Sequence, residues 1–150
     1  MHKYLRMAMA YASSYDYDDP LEYHLCAVIV RGGAVVSVGY NKRGFNSFVE
    51  HYGDRAKGRD WCLSTHAEMD AVLKARGKID LQGCKIFVAR KRKLDGSCAM
   101  ARPCEICQHV LFNYGIRKAY YTISDEEFGQ MKIVNPALAD NAASALMGSK

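Results

Sequence analysis

Apolar segments separated by glycine-rich breaks divide this chain into helices and strands. Residues 2–15 repeat apolar side chains at helical spacing, which predicts an amphipathic first helix. Residues 25–30 form a continuous apolar run that is rich in β-branched side chains, and residues 35–40 follow after a glycine turn. This pattern predicts a hairpin whose first strand is buried.

The second half of the chain alternates helical and extended patterns. Apolar runs at residues 84–89 and 119–123 predict a third and a fourth strand, joined by a helix that begins at Pro103. Strands joined by a helix are expected to be parallel, through a right-handed crossover. Further predicted elements are a helix capped by Ser64 or Thr65 and ended by Gly77, a short edge strand at residues 131–134 and a weak helix at residues 136–147.

These elements together predict a three-layer α/β/α fold. The expected sheet is mixed, with four or five strands and with helices on both faces. The length of 150 residues suits one domain with a sizeable core, and no internal repeat is visible. We therefore interpret residues 1–150 as a single domain.

Composition narrows the environment in which the protein works. No apolar run is long enough to cross a bilayer, and the first residues lack the pattern of a signal peptide. We therefore expect a cytoplasmic protein that does not contact a membrane, with its six cysteines reduced. The net charge of +5 is compatible with a phosphate-bearing ligand but does not demonstrate a nucleic-acid surface.

Two short motifs contain the candidate chemistry. The first is Thr65-His66-Ala67-Glu68, and the second is Pro103 followed by Cys104 and Cys107 in C-x-x-C spacing. One histidine and two cysteines supply three zinc ligands and leave a fourth position open, which is typical of a catalytic zinc site. Zinc lowers the pKa of a bound water to about 7, and Glu68 is the candidate proton shuttle.

Other interpretations of these motifs are possible. A lone C-x-x-C is often a redox pair or half of a structural zinc site. A structural site needs a fourth ligand in a second knuckle, and none of the remaining cysteines has that spacing. The occurrence of both motifs, in this order, favours one catalytic zinc ion, because H-x-E followed by P-C-x-x-C is the signature of the zinc-dependent nucleobase deaminases.

On these motifs the sequence resembles the cytidine deaminase superfamily, and most closely the deoxycytidylate deaminases and related phage-type deaminases. The resemblance covers about residues 25–123 and is strongest at residues 62–72 and 103–107. It implies hydrolytic deamination of cytosine to uracil, with a free nucleotide such as dCMP as substrate. It also implies a zinc ion held by His66, Cys104 and Cys107, and assembly into homo-oligomers.

Four residues are candidate substrate contacts. Asn41, in the segment Gly39-Tyr40-Asn41, would contact the sugar by resemblance to the family, although a turn asparagine often bonds only local backbone. Trp61 could stack on a base or anchor the long loop that contains it. Arg102 adjoins the cysteine motif and could supply a charge at the edge of the pocket. Ala67 lies between the histidine and the glutamate.

The basic run at residues 90–93 departs from the family, because many members pass from this strand to the cysteine motif within a few residues. The run could be a solvated edge, or it could hold a phosphate. It therefore keeps a second substrate class open, namely cytosine or adenine in single-stranded DNA or RNA. A third hypothesis is a catalytically silent relative that binds nucleotides or nucleic acid, although a silent protein has no chemical need for Glu68.

Overall fold

A mixed sheet with helices on both faces forms the domain in the computed structural model, which describes residues 1–17, 23–44 and 64–135. The elements in these ranges are α1 (Lys3–Ser14), β1 (Tyr23–Arg31), β2 (Ala34–Tyr40), β3 (Lys42–Arg43), β4 (Ser64–Thr65), α2 (Ala67–Ala75), β5 (Lys85–Arg92), β6 (Cys98–Ala99), α3 (Glu105–Asn113), β7 (Lys118–Thr122) and β8 (Phe128–Lys132).

The main sheet has the order β2-β1-β5-β7-β8. The predicted hairpin of β1 and β2 is antiparallel, and β1 also pairs antiparallel with β5. The predicted parallel pair is confirmed, since β5 and β7 run in the same direction with α3 between them in sequence. β6 folds back antiparallel on the last part of β5, while β3 and β4 form a separate two-stranded sheet.

The two faces of the sheet bury different side chains, because successive residues of a strand point to opposite sides. Ala27 and Ile29 of β1 belong to the core beneath α2 and α3. Cys26 and Val28 belong to the core that α1 covers. The three-layer architecture predicted from the sequence is therefore confirmed.

The starts of α2 and α3 meet at one edge of the sheet. Near the ends of the two helices, the amide of Gly83 donates to the carbonyl of Gly115 at 3.0 Å. At the opposite edge, the amide of Ala101 donates to the carbonyl of Thr122, the last residue of β7. The residues that precede α3 are thereby fixed beside the carboxyl ends of β5 and β7. Ligands of open α/β sheets bind at such an edge.

The predicted helix starts are wrong by one or two residues. Ser64 and Thr65 do not cap α2: both lie in β4, where they pair with β3, and His66 is the capping residue. Pro103 is not the first residue of α3 either, because Cys104 still has extended backbone and the helix begins at Glu105. Pairing with β3 is the tertiary contact that overrides the local capping preference.

The remaining differences concern the ends of strands. β5 continues to Arg92, so residues 90–92 of the basic run lie in this strand. Lys93 lies in the hairpin between β5 and β6. The edge strand β8 lies at Phe128–Lys132 and not at residues 131–134. The helix predicted at residues 136–147 lies outside the described residues. In the three described ranges, no helix is long and apolar enough to span a membrane.

Candidate metal centre and active site

His66, Cys104 and Cys107 converge between the starts of α2 and α3. His66 and Cys104 occupy the capping positions of the two helices, and Cys107 lies in the first turn of α3. The Nδ1 atom of His66 lies 3.5 Å from the Sγ atom of each cysteine. The three ligand atoms all lie within 4.8 Å of one another. The fold thus brings together three side chains from two distant parts of the sequence.

The spacing of these atoms fits a tetrahedral zinc ion. With Zn–N bonds of about 2.0–2.1 Å and Zn–S bonds of about 2.3 Å, tetrahedral geometry separates N and S ligand atoms by about 3.6 Å. The observed separation of 3.5 Å agrees with that value. Three protein ligands leave one position for water or substrate, which is the arrangement of catalytic zinc sites.

The two thiols occupy different electrostatic environments. A hydrogen bond from the Cys107 side chain lowers the pKa of Cys104 to about 4, and the contact with His66 acts in the same direction. Burial raises the pKa of Cys107 well above its usual value. One thiolate is therefore already favoured in the site, and a divalent ion would favour deprotonation of the second thiol.

Glu68 lies in the first turn of α2 and is 3% exposed. Its Oε1 atom is buried and has no hydrogen-bond partner among the described residues. Burial raises the pKa of this carboxyl group, and the positive charge of His66 opposes the shift. A buried carboxylate oxygen without a partner costs stability, and this one lies beside the three metal-ligand side chains.

Asp70 fixes the first turn of α2 to the end of β2, and sequence reasoning missed it. Its Oδ2 atom accepts from the amide of Tyr40 at 2.9 Å. Its oxygens also pair with Lys42 at 3.2 Å and with Lys74 at 2.8 Å. The i,i+4 spacing of Asp70 and Lys74 was the available signal in the sequence.

Gly39 and Ser37 attach β2 to the same helix. An ideal Cβ on Gly39 would lie 2.2 Å from the amide nitrogen of Ala71, so glycine permits an approach that no other residue allows. Ser37 Oγ donates to the carbonyl of Ala71 at 2.6 Å. These contacts determine where the start of α2, and with it the metal-ligand set, lies relative to the sheet.

Asn41 lies just after β2, and its side chain bonds to β1. Its Oδ1 atom accepts from the amide of Leu25 at 2.8 Å, and its Nδ2 atom donates to the carbonyl of Tyr23 at 2.9 Å. These bonds join Asn41 to backbone 16 and 18 residues away on the neighbouring strand, and not to its own turn as the alternative interpretation of the sequence expected. Each polar atom retains capacity for a second bond, so contact with a sugar stays a prediction.

The other predicted substrate contacts fall in different environments. Ala67 is fully buried at the start of α2, between His66 and Glu68. Arg102 is exposed, two residues before Cys104. Trp61 lies outside the described residues.

Solved deaminase structures resemble this fold. The apo dCMP deaminase from the cyanophage S-TIM5 is 19% identical, with a TM-score of 0.52 over 80% of this chain and 79% of that chain. The same enzyme in complex with dCMP and dUMP is 21% identical, with a TM-score of 0.51 over 79% and 76%. The cytidine deaminase from Burkholderia pseudomallei is 17% identical, with a TM-score of 0.57 over 91% and 95%.

The sequence identifies the family more directly. No curated protein sequence matches the chain. The profile described as "Cytidine and deoxycytidylate deaminase zinc-binding region" matches residues 1–123, a range that includes His66, Glu68 and both cysteines of the site. The chain therefore belongs to the cytidine and deoxycytidylate deaminase family.

Proposed function

We propose that this protein is a zinc-dependent deaminase that hydrolyses a cytosine base to uracil, with a free nucleotide such as dCMP as substrate. The observation that carries the proposal is the unpartnered carboxylate oxygen of Glu68 beside the convergent ligand atoms of His66, Cys104 and Cys107. Membership of the deaminase family supports the same chemistry.

The reaction consumes one water molecule and releases ammonia. His66, Cys104 and Cys107 would hold the zinc ion, which as a Lewis acid makes hydroxide available at neutral pH. Glu68 accepts a proton from the attacking water and delivers it to the ring nitrogen N3, while the oxygen of that water bonds to C4. Glu68 then takes the second proton from the same oxygen and gives it to the amino group, which leaves as ammonia when the C4–N bond breaks. The raised pKa of Glu68 suits a group that must both accept and donate a proton.

Several features bear on the substrate. The structurally similar S-TIM5 enzyme was solved with dCMP and dUMP, which supports a nucleotide substrate by analogy of fold. Exposed cations at Arg92, Lys93 and Arg102 keep cytosine or adenine in single-stranded DNA or RNA as the alternative. A catalytically silent binding protein is disfavoured by Glu68, because such a protein has no chemical need for this buried carboxyl group.

The remaining expectations stay predictions. We expect Asn41, Ala67, Arg102 and Trp61 to contact the substrate. We also expect the protein to form homo-oligomers and to work in the cytoplasm.

Ammonia release by the zinc-loaded protein tests the proposed function. The panel contains cytidine, deoxycytidine, CMP, dCMP, dCTP and cytosine-bearing single strands. We expect turnover of the monomers, and we expect Glu68→Gln to lower it by about 10²–10⁴-fold while zinc stays bound. Glu105→Gln, which removes an exposed carboxylate from the first turn of α3, is the control and should stay active.

The outcomes separate the hypotheses. Activity on single strands alone would replace the nucleotide substrate with a polynucleotide. Inactivity on every cytosine substrate, or full activity of Glu68→Gln, would overturn the proposal.

A further inference from the structure

Arg90 is a charged residue that has no role in the proposed mechanism. It lies on the face of the sheet that α2 and α3 cover. It lies on β5 two and four residues after Val88 and Ile86, whose side chains pack in the core beneath α2 and α3. Alternate residues of a strand share one face, so Arg90 extends the same row towards the edge where α2 and α3 begin. Its Nη1 atom donates to the carbonyl of Met100 at 3.3 Å, four residues before Cys104.

The guanidinium group of Arg90 is held in place but is not neutralised. Its Cζ atom lies 3.8 Å from the ring centroid of Tyr23, which covers one face of the group. Its Nε atom is buried and has no hydrogen-bond acceptor, and no carboxylate of the described part of the chain pairs with it. Met100 supplies only a neutral carbonyl.

Two carboxylates at the hairpin between β5 and β6 form hydrogen bonds with groups other than Arg90. Asp125 accepts from the amide of Cys98 at 2.7 Å, and Asp95 accepts from the amide and the hydroxyl group of Ser97. The neighbours of Arg90 on the hairpin are cationic, since Arg92 and Lys93 follow it. A positive charge with unused donors therefore remains at this edge.

Space for a ligand exists beside it. A surface cavity of about 580 Å³ is bordered by Tyr23, Arg92, Lys93 and Leu94. Tyr23 thus borders this cavity and also stacks on the guanidinium group of Arg90. An arginine whose planar group is oriented by an aromatic ring is well suited to bind phosphate through two parallel hydrogen bonds.

We propose that Arg90, oriented by Tyr23 and by the carbonyl of Met100, binds a phosphate group of the cytosine nucleotide. The inference rests on the proposed function and names the residue that would bind the phosphate. The phosphate is either the 5′-monophosphate of a free nucleotide or a phosphodiester beside the cytosine in a strand.

The test measures kcat/KM of the zinc-loaded protein for dCMP and for deoxycytidine. The ratio of the two values isolates recognition of the phosphate from the chemistry on the base, which both substrates share. We expect Arg90→Gln to lower this ratio by about 10- to 100-fold, the range for loss of a hydrogen bond to a charged group. Arg90→Lys, which keeps the charge but not the planar fork, should give an intermediate ratio.

Lys91 provides the matched control. It is the next residue of β5, so its side chain lies on the opposite face, where its Nζ atom donates to Ser13 Oγ of α1. Lys91→Gln removes the same charge from the same strand and should leave the ratio unchanged. A general electrostatic effect of the basic run would lower the ratio for both variants equally and would overturn the assignment to Arg90.

The remaining outcomes are distinct. If Arg90→Gln lowers both kcat/KM values equally, Arg90 only supports the segment before Cys104, and the inference is overturned while the proposed function stands. If Arg90→Gln does not fold, a wild-type ratio in Arg90→Lys overturns the inference in the same way. Inactivity of the unaltered protein on all cytosine substrates would overturn both.

If only strands are deaminated, the comparison uses a strand whose phosphodiester beside the cytosine is replaced by an uncharged methylphosphonate. We expect this replacement to lower kcat/KM in the unaltered protein and to have little further effect in Arg90→Gln. Equal losses in the two proteins would show that another residue binds that phosphate.

Discussion

An ideal Cβ on Gly39 of β2 would lie 2.3 Å from the carbonyl oxygen of Ala67, the first residue of α2. The same atom would lie 2.2 Å from the amide nitrogen of Ala71. Both contacts are with helix backbone, which cannot rotate away as the end of a side chain can. The approach of β2 to α2 therefore depends on the missing side chain of Gly39, and the positions of His66 and Glu68 depend on that approach.

Gly39→Ala should destabilise the protein and disturb the site. We expect the free energy of unfolding to fall by about 1–3 kcal/mol or more, because the added methyl group must displace α2 from β2. Denaturant unfolding measures the change, and zinc content reports the displacement of His66. Val35→Ala, at a 38% exposed position of the same strand, should cost less than about 1 kcal/mol. A Gly39→Ala protein as stable as the original would contradict the close approach.

The free energy of unfolding should depend more on the hydrogen bond that Asp70 accepts than on the negative charge of Asp70. Asp70→Asn keeps an acceptor for the amide of Tyr40 and should lower the free energy of unfolding by about 1 kcal/mol, because the ion pairs with Lys42 and Lys74 are partly exposed. Asp70→Ala leaves that amide without its partner and should cost about 2–3 kcal/mol. Denaturant unfolding measures the loss of stability in each variant. Equal losses in Asp70→Asn and Asp70→Ala would show that the charge of Asp70 contributes more than its hydrogen bond.

Removing one sulfur ligand should remove the metal without unfolding the domain. Cys104→Ser replaces a thiolate by a hydroxyl group, so we expect zinc affinity to fall by more than about 100-fold. Zinc content after dialysis and competition with a chromogenic chelator measure the effect. Cys84→Ala changes a buried cysteine that lies outside the ligand set, and it should retain zinc. Loss of zinc from both variants would indicate a change of fold and not of a ligand.

His2 should make stability depend on pH. Its Nδ1 atom accepts from the amide of Tyr4 at 3.3 Å, and its ring packs against Phe87. Burial, followed by the charges of Lys85, the N-terminus and Arg6, lowers the pKa of His2. The unfolded chain therefore binds a proton near pH 6.5 more readily than the folded chain does.

The sign of the effect follows from that difference. The contribution of His2 to stability is fully present above its unfolded pKa of about 6.5, and it is lost as pH falls through the lower folded value. His2→Asn can still cap α1 but does not titrate in this range. We expect the loss of stability on acidification from pH 8 to 5 to be smaller in this variant, as measured by urea unfolding. Identical pH profiles would contradict the assignment.

The parts of the site that could be predicted are those that short motifs encode. His66 and Glu68 are two residues apart, and Cys104 and Cys107 are three apart, so the sequence alone displays both halves of the site. The apolar runs likewise predicted the strands, because burial on both faces leaves a visible pattern.

The parts that could not be predicted depend on contacts between distant segments. The amide of Tyr40 and the carboxylate of Asp70 are 30 residues apart, and nothing in the sequence indicates that they meet. The capping preference of Ser64 and Thr65 was misleading because both residues pair with β3 instead. The environment of Arg90 could not be predicted from the sequence either, since it depends on Tyr23 from β1 and on Met100 beyond the hairpin.

The origin of the metal ligands in two helices has a consequence for folding. His66 is 38 residues from Cys104 and 41 from Cys107, and β5 with its hairpin lies between them in sequence. Only the folded chain brings these residues together, so the unfolded chain has no such site and the free energy of metal binding adds to the stability of the folded state. Loading of the metal and completion of the domain would then be thermodynamically linked, so that each favours the other.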